Sequence, residues 1–117
     1  ADTVRGWYFE VWNEPDIDYW HGTPEQYWEL YDRAVAGVRA ALPDARVGGP
    51  ATTGPGSEKA AAFLDGFLTH VITAKVPLDF ISFHAKGRPT IQNQEVVMGL
   101  AKEMKDADTG FAIHGRY

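Results

Sequence analysis

The chain has 117 residues, a net charge of −5, 44% hydrophobic and 23% charged residues, and no cysteine. That is one ordinary globular domain at most, long enough to bury roughly two-thirds of its unfolded surface. No basic stripe invites nucleic acid, no apolar run nears the ~18 residues of a membrane span, no signal-peptide pattern stands at the start, and thiol chemistry is excluded. The chain is expected to be soluble, and composition assigns it no localisation.

The first element is predicted at Trp7–Asp16, WYFEVWNEPD, where aromatic and β-branched residues fit a buried strand. Pro15 ends it, because proline has no N–H for the ladder. Asn13 and Glu14 thereby fall at a strand's carboxyl end, the place where α/β proteins hold ligands. Asp16–Gly22 is a loop carrying Tyr19, Trp20 and His21. Thr23-Pro24-Glu25-Gln26 then reads as a helix start: threonine cap, proline in the first turn, glutamine three after the cap. Tyr27, Leu30, Tyr31, Ala34, Val35, Val38 and Leu42 recur at helical spacing until Pro43 closes the helix.

Arg46–Pro50 is a short second strand whose Gly48 and Gly49 allow close backbone approach. After a turn-rich loop at Thr52–Ser57, a second helix is expected over Glu58–Ala74, buried through Ala60, Phe63, Leu64, Phe67, Leu68 and Val71. Pro77–His84 is the third strand, left by a loop at Ala85–Pro89. A third helix is expected over Gln92–Asp106 with Val96, Val97, Leu100 and Met104 inward, and Thr109–Tyr117 extends a helix or begins a strand. Alternating strands and helices with short loops predict parallel strands joined by right-handed crossovers. Their carboxyl ends then gather Asn13 and Glu14, Pro50–Thr53, His84 and Lys86 at one rim.

Phe9-Glu10-Val11-Trp12-Asn13-Glu14-Pro15-Asp16 resembles the acid/base segment of retaining glycosidases built on a (β/α)8 barrel. Tyr19-Trp20-His21-Gly22-Thr23, Tyr31-Asp32, Arg46–Ala51 and Asp79–Gly87 follow in the order of glycoside hydrolase family 39, which contains β-xylosidases and α-L-iduronidases. The resemblance spans nearly the whole chain. It implies an α/β fold: a parallel β-α-β-α-β-α segment, about strand 4 to helix 6 of an incomplete barrel, as one unit over residues 1–117. It implies further that Glu14 is the general acid/base, that Asn13 holds the sugar 2-hydroxyl, and that His84 lies near the nucleophile. Lys86 stands where relatives often have tyrosine. With Trp12 it joins the expected substrate contacts, although Lys86 and Arg88 also read simply as solvated cations. No cofactor and no metal are implied; the expected partner is carbohydrate, a xyloside or xylo-oligosaccharide.

A general acid working near neutral pH needs a carboxyl raised above its usual range, by burial beside Trp12 or by a second carboxylate. Glu10 shares Glu14's strand face but sits about 13 Å away along the strand, too far for the ~5–5.5 Å of a retaining pair. Asp16 follows a turn that leads away from the rim. The remaining acids fall on helices or at the wrong edge; the resemblance implies that the nucleophile is a Glu at the end of strand seven, beyond this chain, so the chain alone is expected to be inactive. Bare parallel edges predict self-association. The alternative function is a non-catalytic carbohydrate-binding or assembly module in which Trp12, Tyr19 and Trp20 stack on sugar; a nucleotide-binding domain ranks third, because no phosphate loop is present.

Overall fold

A computed structural model describes residues 2–117. A 3-10 segment at Asp2–Gly6 leads into β1 (Tyr8–Glu10). It is followed by α1 (Pro24–Ala41), β2 (Arg46–Thr52), α2 (Glu58–Thr73), β3 (Phe80–Phe83), β4 (Thr90–Gln92), β5 (Glu95–Val97) and α3 (Leu100–His114). Strands β1, β2 and β3 lie side by side in chain order, all parallel. Two right-handed crossovers that advance in the same direction place α1 and α2 on the same face of the sheet. Helix α2 packs against both α1 and α3. Among the described residues no helix is long and apolar enough to cross a membrane.

Helix α1 starts where its cap dictates. Thr23 Oγ1 accepts the Gln26 N–H at 3.3 Å, and Gln26 Oε1 accepts the Thr23 N–H at 2.8 Å. Tyr27, Tyr31 and Val35, four residues apart, are its buried stripe. Both phenols are satisfied: Tyr27 donates to the Val11 carbonyl at 2.7 Å and Tyr31 to the Pro77 carbonyl at 3.0 Å. The expected inner face of α2 is buried as read, from Ala60 to Val71. Together with Val47 of β2 and Ile113 of α3, these side chains form one core between sheet and helices.

The sheet's other face carries aromatic rings. Tyr8 of β1 and Phe80 of β3 meet edge to face, 5.3 Å apart, across the intervening Gly48. A Cβ at Gly48 would lie 2.2 Å from the Phe80 carbonyl and 2.7 Å from its ring, so no side chain fits there.

Four expectations change. The strand expected over Trp7–Asp16 is a three-residue ladder, and Trp7, Tyr8 and Trp12 are exposed. Its only neighbour among the described residues is β2, and Trp12 (φ 72°) and Glu14 (φ 47°) leave the extended region. The third strand is shorter than Pro77–His84, and β2 is longer than Arg46–Pro50. The helix expected over Gln92–Asp106 is replaced by a β4–β5 hairpin, with α3 beginning only at Leu100 and covering the ambiguous C-terminal stretch as far as His114. Asn93 and Gln94 both take positive φ, 51° and 66°, which closes a two-residue turn. Val96, Val97, Leu100 and Met104 are consequently exposed, while Asp106, Gly110 and Ile113 are the buried residues of α3.

Candidate active site

The loop after β1 stays pinned to β2 although the ladder has ended. The Val11 N–H donates to the Gly48 carbonyl at 3.0 Å, and the Glu14 N–H to the Ala51 carbonyl at 2.9 Å. Between these anchors the left-handed Trp12 turns its indole outward and Glu14 inward, over the carboxyl ends of the strands. Ala51 is itself held from the other side, donating its N–H to Ser82 Oγ at 3.1 Å beside the register shift between Pro50 and Thr52. One residue beyond β3, the His84 N–H donates to the Thr52 carbonyl at 2.9 Å. The three strand ends are thus tied to one another through backbone.

Glu14 is 6% exposed, and one of its oxygens is engaged twice. Oε1 lies 2.5 Å from His84 Nδ1 and 2.5 Å from Lys86 Nζ. Hydrogen bonding from Lys86 is the largest influence on this carboxyl; burial opposes it, and His84 adds to it, so the group sits below the ordinary glutamate value. An ionised carboxylate only accepts, so His84 Nδ1 is the donor in this contact. The elevation expected of a general acid is therefore absent: the burial that would produce it is present, and the hydrogen bonds from Lys86 and His84 outweigh it. Glu14 Oε2 makes no hydrogen bond with any described residue.

The expected site residues are distributed unevenly around this carboxylate. His84 and Lys86 converge on Glu14, and the Lys86 side chain remains 63% exposed. Asn13 is exposed and its side chain is without a partner among the described residues. Trp12 donates its indole N–H to the Tyr19 carbonyl at 3.0 Å and meets Trp20 edge to face at 5.5 Å, an aromatic wall at the same loop. Asp16 is buried and accepts both the Thr53 N–H, at 2.9 Å, and the Thr53 hydroxyl, so it staples the β1 loop to the β2 loop. Among the described residues no group of three or more His, Asp or Glu comes together to hold a metal.

Residues given no site role in the sequence reading complete the frame. Asp106 of α3 is 1% exposed, accepts the Gly56 N–H at 3.1 Å, and pairs with Lys102 at 2.6 Å. Lys102 donates at 3.0 Å to the carbonyl of Lys86 itself. The Lys102–Asp106 spacing of four, inside the helix expected over Gln92–Asp106, was the available signal; that the pair reaches Gly56 and Lys86 is created only by the fold.

Comparison with known proteins agrees with this arrangement. The family model for glycosyl hydrolases family 39 matches residues 1–111. A β-xylosidase of Caldicellulosiruptor saccharolyticus is 37% identical over 105 residues, an alignment covering 85% of this chain and 20% of the relative. An α-L-iduronidase of Homo sapiens is 36% identical over 120 residues, covering 93% of this chain and 18% of the relative. Among solved structures, the GH39 enzyme of Xanthomonas axonopodis pv. citri superposes with a TM-score of 0.74 at 29% identity, covering 97% of this chain and 23% of that one. The chain therefore spans about a fifth of the length of the curated relatives it matches. A parallel sheet with helices along one face, an Asn-Glu pair at the end of its first strand, and a family match over nearly every residue lead to one conclusion: the chain belongs to glycosyl hydrolases family 39.

Proposed function

We propose that this chain is the acid/base-bearing part of a retaining, β-xylosidase-like glycoside hydrolase, corresponding to about strand 4 through helix 6 of a (β/α)8 barrel. The observation that carries the reading is Glu14: buried, at the carboxyl end of a parallel strand, with Oε1 held by two donors and Oε2 open. The open oxygen is the one available to a glycosidic oxygen, while Asn13 and the Trp12 face supply contacts to the sugar. A glycoside entering this corner displaces the exposed Lys86 ammonium from Oε1, and burial then raises the carboxyl toward the protonated form needed for leaving-group protonation. In the second half-reaction the same carboxylate takes a proton from the attacking water.

Retaining displacement also needs a nucleophilic carboxylate ~5–5.5 Å away, and among the described residues none pairs with Glu14. Chain 1–117 by itself is expected to show no turnover of a nitrophenyl β-xyloside; turnover abolished by Glu14→Gln would overturn that partner assignment. Titration with xylobiose, followed by NMR, is expected to shift resonances at Asn13, Glu14 and His84. Binding untouched by Glu14→Gln but lost with Trp20→Ala would favour the non-catalytic binding module instead.

A second reading concerns the sugar. One relative is named an α-L-iduronidase, and the exposed Lys86 ammonium beside Glu14 suits a carboxylate-bearing glycoside. Lys86→Met is expected to weaken binding of a uronide more than that of a xyloside; equal loss for both would leave the xyloside reading standing.

A further inference from the structure

We propose that Lys102 is a positioning residue for Glu14: bonded to the Lys86 carbonyl, it fixes the loop after β3 where the Lys86 ammonium meets the Glu14 carboxylate. The chain of contacts is continuous. Lys86 Nζ reaches Glu14 Oε1 at 2.5 Å, the Lys86 carbonyl accepts Lys102 Nζ at 3.0 Å, and Lys102 Nζ also meets Asp106 Oδ2 at 2.6 Å. Asp106 is the fixed end. It is buried, takes the Gly56 N–H, and fills the space a Cβ on Gly54 would need, 2.3 Å from its Oδ2. The loops after β2 and after β3 are therefore both referred to one pair of side chains on α3.

The loop after β3 needs such a tie. The Lys86 side chain is mostly exposed and would otherwise be free in solvent. The neighbouring backbone is already crowded into place: Gly99 at φ 67° faces Arg88 so closely that a Cβ would lie 2.4 Å from the Arg88 carbonyl. Gly87 is crowded in the same way, a Cβ there lying 2.6 Å from the Met98 carbonyl, and the peptide between it and Lys86 turns its carbonyl toward α3. Lys102 holds that carbonyl. The titratable groups facing Glu14 are His84 and Lys86; Lys102 meets Asp106, and no other ion pair of the described residues joins this set.

This inference rests on the reading of Glu14 as acid/base, but its test does not require turnover. Glutamate carboxyl carbons are titrated by NMR in chain 1–117, with Glu14 assigned by its loss in Glu14→Gln. Lys86→Met is expected to move the Glu14 midpoint up toward the ordinary glutamate value. Lys102→Met is expected to move it in the same direction, Lys102→Arg to restore it, and Lys86→Met combined with Lys102→Met to go no further than Lys86→Met alone. Because Lys102→Met strands the buried Asp106 charge, Lys102→Met with Asp106→Asn serves as the second variant and carries the same expectation. A wild-type Glu14 midpoint in the Lys102 variants, an additive double, or loss of the fold in both variants would each overturn the proposal. Failure of the glycosidase reading would instead appear as unperturbed resonances on adding xylobiose.

Discussion

Two donors share a single oxygen of Glu14, and this decides how the site responds to pH. A carboxyl held below its ordinary value adds stability that is complete above that value and is lost as pH falls through its folded-state pKa. The wild-type chain is therefore expected to lose thermal stability relative to Glu14→Gln on acidification; parallel pH profiles of the two Tm values would contradict the Lys86 contact. Asp79 behaves alike for a different reason. Burial pushes it up, yet the Val47 N–H at 2.7 Å and the Arg39 guanidinium at 2.8 and 2.9 Å bring it below the usual range. Asp79→Ala is expected to cost about 1–2 kcal/mol in urea unfolding, most of it from the unpaired Val47 N–H and Arg39. At this scale Asn13 and Glu14 were legible because their order with the later motifs is distinctive. The depression of Glu14 was not, since it arises from residues seventy positions away whose approach only the folded strands create.

Caps and periodicity made two of the helices legible. Thr23 with Gln26 placed the start of α1, and the α2 stripe was read residue for residue, because a strong apolar period needs no tertiary information to be seen. The β4–β5 hairpin was missed for a physical reason. Val96, Val97, Leu100 and Met104 happen to fit a helical face, while the turn is Asn93-Gln94 rather than the Asn-Gly pair that usually reveals a two-residue hairpin. Glutamine at φ 66° is strained where glycine is not. Gln94→Gly is accordingly expected to stabilise the hairpin by about 1 kcal/mol, seen as greater amide-exchange protection at Ile91 and Val96; weaker protection would show that the turn is of another kind.

The Cα radius of gyration is 16.1 Å, against roughly 13 Å for a compact domain of this length. The body is elongated, 56 × 32 × 29 Å, with helices on one side of the three strands, a face bearing Tyr8 and Phe80 on the other, and an open cavity of about 510 Å³ between α2, β3 and the end of α3. Phe83, Ile81 and Phe111 line that cavity at the outer edge of the sheet. Such edges recruit further strands, so sedimentation is expected to show mass rising with concentration; one invariant monomeric species would refute it. The hairpin has a separate consequence. Its turn stands apart from the core, with β4 and β5 exposed throughout, whereas the Lys102 and Asp106 anchors lie beyond it on α3. Peptide-bond cleavage between Asn93 and Gln94 would leave two pieces still clasped through Gly56, Lys86 and the α2–α3 contact. A tag or foreign domain spliced in at that bond would inherit the same tolerance, making it the natural port for labelling this chain without disturbing Glu14.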